Sequence, residues 1–170
     1  SNIVKKEEQK AFQLLGLDHT HLHFLGFPDG WLEEVYYNTG SVPVVSPFTK
    51  QIRTENGSPF THTGFVSDIT DILTKYRPAN LYIPSAHDDA LDHQVTYHAA
   101  MEGINRIGFT GMLRTYVIHT DAPMSSVSAT VPLTPKQQEK KRKAIQRYRT
   151  QLSADTGFLP SFAQPEERFY

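Results

Sequence analysis

The chain contains no cysteine among its 170 residues, which excludes disulfide bonds and thiolate metal sites. Any metal would therefore have to bind to histidine and carboxylate side chains. Neither sign of charge predominates, because 17 lysine and arginine residues against 18 aspartate and glutamate residues leave a net charge of -1. This balance indicates no surface for nucleic acid or anionic membrane, so we expect a small-molecule partner and no nucleic acid.

Long apolar runs are also missing, since none approaches the roughly 20 residues that span a bilayer. We therefore expect no membrane association. The chain as given shows no signal peptide. Its composition leaves the compartment open, and a cytoplasmic location is our expectation. With 38% hydrophobic residues, a chain of this length favours a single globular domain with its own core.

The residues that are present alternate between helical and strand patterns. In chain order these patterns predict a helix over residues 4–15, a strand over 20–27, a helix over 65–78, a strand over 80–84, a helix around 95–104, a strand over 113–119 and a helix over 134–152. Thr134, Pro135 and Gln137 are typical of a capping box at the start of the last helix. Residues 31–64 show no lasting period and predict a long loop.

Such an alternation predicts an α/β fold, with a mostly parallel sheet covered by helices on both faces. In sheets of this kind, ligands bind outside the carboxyl ends of the strands. Three predicted strand ends carry polar side chains: Asp29, the segment from His87 to His93, and His119. We therefore expect a functional site at this edge. No G-x-G-x-x-G follows any predicted strand, which argues against a dinucleotide site.

The segment YIPSAHDDALDHQVTYHAA, residues 82–100, places His87, Asp88, Asp89, Asp92 and His93 within seven positions. In one interpretation, Asp88 or Asp89 simply caps the following helix. Capping leaves both histidines unexplained, whereas a histidine beside a carboxylate suits a zinc ligand held by a neighbouring acid. The segment offers one or two ligands, and a catalytic zinc takes three from the protein. Any further ligands must therefore come from elsewhere.

Six blocks of sequence carry a family resemblance. They are EEQKAFQLLGL, FLGFPDG, IPSAHDDALDHQVTYHA, YVIHTDAP, LTPKQQEKKRKAIQRYRTQ and EERFY. In this order they resemble the bacterial PIG-L (LmbE-like) family of metal-dependent N-deacetylases. The resemblance implies a Rossmann-like three-layer sandwich over residues 1–170. It also implies hydrolysis of N-acetyl groups on amino sugars or their conjugates, with Zn²⁺ or another divalent metal as cofactor.

The resemblance assigns roles to three residues of this chain. The zinc-ligand histidine that closes the family's D-x-H-x-D-H block corresponds to His93. The acid before it, which interacts with the site histidines, corresponds to Asp92, and we expect it among the catalytic residues. An acid near the substrate pocket corresponds to Asp29.

The chain departs from the family pattern in two places that concern the chemistry. The family motif A-H-P-D-D-E, which supplies two metal ligands and the general base, is not found, so we expect the first strand and helix to be missing. Ala90 stands where many members have a histidine. His119 or His87 is then the predicted catalytic residue that protonates the departing amine.

Two hypotheses follow for the function. The first is an N-acetyl hydrolase seen as an incomplete chain, and the second is a noncatalytic α/β module that binds a glycan or a partner subunit in the same pocket. Whether the chain forms a homo-oligomer is left open. His19, His21 and His23 alternate along the second predicted element, and we expect them on its solvent side rather than at a metal.

Overall fold

The computed structural model describes residues 2–119, 126–154 and 157–170. In chain order its elements are α1 (Asn2–Leu15), α2 (Leu32–Tyr37), α3 (His62–Tyr76), β1 (Asn80–Pro84), α4 (Leu91–Ile107), β2 (Met112–Tyr116), β3 (Ala129–Pro132), α5 (Pro135–Ile145), α6 (Arg149–Ala154), α7 (Phe158–Ser161) and β4 (Glu166–Phe169). Their contacts fall into two units, Ser1–Phe24 with Thr130–Arg168 and Leu25–Ala129 with Phe169–Tyr170. One domain over residues 1–170 stays a prediction.

The first unit is built on the packing of α1 against α5. Ala11 and Ala144 are both buried in this unit, and small side chains let two helices approach closely. Lys140 Nζ donates to the carbonyl oxygen of Leu15 over 3.1 Å and so satisfies one of the free carbonyls at the end of α1. The predicted capping box of α5 is confirmed.

Two predictions about secondary structure are wrong. Residues 20–27 do not form a strand, because the Asp18 side chain accepts the Thr20 N–H and starts a short 3₁₀ turn, His19–His21. The histidine alternation therefore does not mark a strand face. The last predicted helix is also interrupted: α5 ends at Ile145, and α6 begins at Arg149.

The second unit contains a parallel pair of strands whose carboxyl ends lie side by side. β1 pairs with β2 from Asn80 opposite Met112 to Pro84 opposite Tyr116. The predicted α/β class with parallel strands is thereby confirmed. Both strands reach the site edge together, because in-register parallel strands end at the same level. Within the described residues, Val117 to His119 lie outside β2, so the strand is shorter than predicted.

The core of the second unit includes residues from the predicted loop. Its buried cluster consists of Val35, Phe60, Phe65, Val66 and Ala99. The long segment 31–64 therefore contributes to the core as well as to the surface, and it contains a helix, α2, that no pattern predicted. Among the helices of the described ranges, none has the length and apolarity needed to cross a membrane.

Candidate metal centre

Asp88 is the most deeply buried charged residue of the second unit, at 1% exposure. Its Oδ1 accepts the Ala90 N–H at 3.0 Å, and its Oδ2 accepts the N–H groups of Ile118 at 2.7 Å and His119 at 3.2 Å. Burial by itself raises the pKa of this carboxyl. The hydrogen bonds outweigh burial and lower the pKa to about 2, so Asp88 is an anion at neutral pH.

These hydrogen bonds also explain why β2 ends early. The N–H groups of Ile118 and His119 point at Asp88 and are withdrawn from any strand ladder. The turn after β1 and the segment after β2 are thus joined by one carboxylate. As a result His119 is brought next to the start of α4, which carries His93.

His93 faces the same carboxylate from the first turn of α4. Its Nδ1 lies 3.1 Å from Asp88 Oδ2, with the His93 side chain 26% exposed. The distance is short enough for an ion pair, but Nδ1 is buried and the geometry does not make a hydrogen bond. A buried nitrogen and a carboxylate oxygen that face each other without bonding are suited to share a cation.

His119 completes a group of three. One ligand atom each from Asp88, His93 and His119 lies within 4.8 Å of the others. The two imidazole rings have centroids 5.0 Å apart. The 3.1 Å between Asp88 Oδ2 and His93 Nδ1 is short enough for the two atoms to bind one ion, and His119 is exposed beside them.

The donor set fits a divalent metal. Two histidines and one carboxylate are the ligand types of catalytic zinc sites, which leave a fourth position open. The ionised state of Asp88 favours binding of a cation. His93 Nδ1 makes no hydrogen bond and is available to coordinate that cation. The residues present would therefore hold such an ion with all three side chains from the second unit.

The other predicted site residues lie close to this group but outside it. Asp92 accepts backbone N–H groups of Gly30 and Leu32. Asp29 is exposed in the turn before Gly30, and His87 is exposed in the turn after β1. The roles predicted for these residues, and for His93 and His119, stay predictions.

The sequence pattern did not indicate Asp88 as a candidate metal ligand, and we considered it only as a helix cap. In fact the residue at the N-cap position of α4 is Ala90, which has no side-chain cap. The signal for a ligand was the position of Asp88 between an apolar strand end and a histidine. The hydrogen bonds of Asp88 with residues 118 and 119 could not be predicted from the neighbouring sequence.

Comparison with known proteins bears on the family and the fold. Residues 1–104 match the PIG-L family, described as GlcNAc-PI de-N-acetylase. No curated protein matches the chain. Among solved structures, the chain is similar to the conserved protein TT1542 from Thermus thermophilus, with a TM-score of 0.60 and 20% sequence identity.

That alignment covers 93% of this chain and 62% of the Thermus protein, so the chain spans less than two thirds of its neighbour's length. At this identity the likeness shows the fold. The family match covers more than half of the chain, and it includes Asp88 and His93. The chain therefore belongs to the PIG-L family.

Proposed function

We propose that this chain is part of a divalent-metal hydrolase, with zinc as the preferred ion, that removes N-acetyl groups from amino sugars or their conjugates. The observation that carries the proposal is the grouping of Asp88, His93 and His119 in a member of a de-N-acetylase family. Family membership supports a deacetylase-like activity. The metal dependence and the substrate class are our proposal.

A divalent ion held there would polarise the acetyl carbonyl and lower the pKa of a bound water. The chain's own residues perform the other tasks. Asp88 supplies a fixed negative charge and orients the segment that carries His119 through two backbone hydrogen bonds. Those bonds fix where His119 stands before the substrate arrives.

Two exposed side chains, those of His87 and Asp29, act on the substrate in this proposal. His119 or His87 was predicted as the proton donor to the departing amine, and the place of His119 beside His93 favours the role of ligand. His87, exposed in the same turn as Asp88, is then the better candidate for the proton donor. Asp29 is a carboxylate suited to accept hydrogen bonds from sugar hydroxyls.

The test is release of free amine from N-acetylglucosamine conjugates, in the full-length protein that contains this chain, before and after chelation. We expect activity to disappear with chelator and to return with added zinc. His93→Ala should lower turnover by about 100-fold or more. As a matched control, Asp89→Asn removes an exposed charge from the same turn and should retain turnover within about threefold.

Two results would contradict the proposal. Turnover that survives complete removal of metal would exclude a metal hydrolase. Zinc binding without turnover on any N-acetylated amino sugar would instead favour the noncatalytic α/β module that binds a glycan or a partner subunit.

A further inference from the structure

Asp92 makes two long-range hydrogen bonds that link separate parts of the second unit. Its Oδ2 accepts the N–H of Gly30 at 2.6 Å, and its Oδ1 accepts the N–H of Leu32 at 3.1 Å. These partners lie 62 and 60 residues earlier in the chain. Asp92 is the residue just before His93 in the first turn of α4. One carboxylate therefore ties the turn at residues 28–30 to the helix that carries a proposed metal ligand.

The turn depends on this outside support. Helix α2 has Trp31 at its N-cap, and that side chain makes no capping hydrogen bond. The Asp92 carboxylate, which belongs to α4, caps α2 instead, because it accepts the N–H of the first residue of α2, Leu32. Gly30 has φ of 72°, a left-handed conformation that favours glycine. Within the turn itself, the Trp31 N–H donates to the Pro28 carbonyl oxygen over 3.3 Å.

Each oxygen of Asp92 thus accepts one backbone N–H group of the turn or of the first residue of α2. A carboxylate that transfers protons in a reaction must present an oxygen to the substrate or to a catalytic side chain. In the described structure Asp92 presents its oxygens to the turn instead. Its influence on the site would therefore pass through the residue inside that turn, Asp29.

We infer that Asp92 is a positioning residue, which holds the turn so that the Asp29 carboxylate stands at a fixed place relative to His93. This inference rests on the proposed function, in which the Asp29 carboxylate accepts hydrogen bonds from the hydroxyl groups of a sugar substrate. Anchoring an N-acetylated sugar at two points, through its hydroxyls and through its acetyl group, requires a constant distance between the two binding groups. The Asp92 clamp, defined as its hydrogen bonds to Gly30 and Leu32, fixes that distance.

The first measurement is amide hydrogen exchange by NMR on the wild type, Asp92→Asn and Asp92→Ala. We expect the exchange of the Gly30 and Leu32 amides to accelerate by about tenfold or more in Asp92→Ala, since each amide loses its acceptor. The Asp89→Asn variant carries the same loss of charge from the same segment and should leave both amides unchanged. Unchanged exchange in Asp92→Ala would overturn the clamp.

The second measurement separates positioning from a general structural role. In full-length protein, Asp92→Asn should raise KM by about tenfold and change kcat by less than about threefold, because it weakens ground-state and transition-state binding alike. The zinc dissociation constant should stay within about threefold, since no metal ligand is touched. A fall in kcat with an unchanged KM would instead make Asp92 a catalytic residue and would contradict the inference.

A double-mutant cycle shows whether Asp92 acts through Asp29. In an Asp29→Asn background, Asp92→Asn should add less than about twofold to KM, because the carboxylate that it positions is already gone. Independent, multiplying effects would overturn the inference. If the wild type shows no turnover at all, the proposed function fails by itself, and the exchange of the Gly30 and Leu32 amides still decides whether the clamp exists.

Discussion

Replacing Asp88 with asparagine should destabilise the second unit even when no metal is bound. Asparagine keeps one acceptor oxygen but places an NH₂ group where the other oxygen was. At least one N–H among Ala90, Ile118 and His119 then loses its acceptor inside the protein. Breaking a buried hydrogen bond to a charged group costs about 2–3 kcal/mol.

The lowered pKa of Asp88 expresses the effect of the same hydrogen bonds as a free energy. Its fall from 3.8 to about 2, at about 1.4 kcal/mol per unit, corresponds to about 2.5 kcal/mol in favour of the folded state at neutral pH. The group is buried, so solvent screening does not reduce this value much. Both figures describe the same hydrogen bonds, and we expect Asp88→Asn to lower the free energy of unfolding by about 2–3 kcal/mol.

The pH dependence follows from the direction of the shift. Because the pKa is lower in the folded state, the stabilisation is complete above the ordinary value of 3.8 and is lost as the pH falls toward about 2. The difference between wild type and Asp88→Asn should therefore be constant near neutral pH. The difference in free energy of unfolding between the two proteins should become smaller as the pH falls below 3.8 toward about 2.

The assay is urea unfolding in the presence of a chelator. The single tryptophan, Trp31, lies in the same unit as Asp88, so its fluorescence reports the relevant transition. Asp89→Asn is the control and should change stability by less than about 0.5 kcal/mol, because Asp89 is exposed. Equal stabilities of Asp88→Asn and Asp89→Asn would refute the assignment of Asp88 as a buried, hydrogen-bonded anion.

Three further predictions concern packing and capping, each measured by urea unfolding. Gly64→Ala should lower the free energy of unfolding by about 2–3 kcal/mol, because the new Cβ would lie 2.2 Å from the Pro59 carbonyl oxygen. Gly103→Ala is the control, since its new Cβ meets only side chains at 3.2 Å or more. A smaller loss in Gly64→Ala than in Gly103→Ala would contradict this prediction. Tyr36→Phe should cost about 1 kcal/mol, since it removes the 2.8 Å hydrogen bond to Glu102, and an unchanged stability would argue against that bond. Thr134→Ala should lower the free energy of unfolding of the first unit by about 1 kcal/mol, because α5 loses its capping side chain. Circular dichroism follows this transition. An unchanged helix content and an unchanged unfolding midpoint would count against the capping box.

Local patterns predicted the elements that carry His93. The strand NLYIP has apolar residues that become buried, and the helix after it has Val95, Ala99 and Ile104 on its buried face. Both assignments depend only on residues that are close in the sequence, as does the capping box at Thr134. The position of His93 at the start of a helix beyond a strand could therefore be predicted.

The composition of the metal group could not be derived in the same way. Asp88 meets residues 118 and 119 because β1 and β2 pair in register across about thirty residues of chain, and that register depends on packing. The Asp92 clamp reaches back further still, to Gly30. The part of the YVIHTDAP block from residue 120 onward lies outside the described residues.

The incorrect strand at residues 20–27 has a similar cause. An alternation of polar and apolar residues favours a strand only when a partner strand is present. Here Asp18 begins a tight turn, and His21 Nδ1 lies 2.8 Å from Asp18 Oδ1. A local side-chain contact therefore outweighed the period of the sequence.

The measurement that tests the metal centre most directly is calorimetric titration of zinc into the metal-free chain. We predict one ion per wild-type chain, binding at least about 100-fold more weakly in His93→Ala and in His119→Ala, because each variant removes one of three ligands. His98→Ala removes an exposed histidine from the same helix and should bind zinc as the wild type does. Wild-type affinity in both ligand variants would contradict the assignment of Asp88, His93 and His119 as the metal centre.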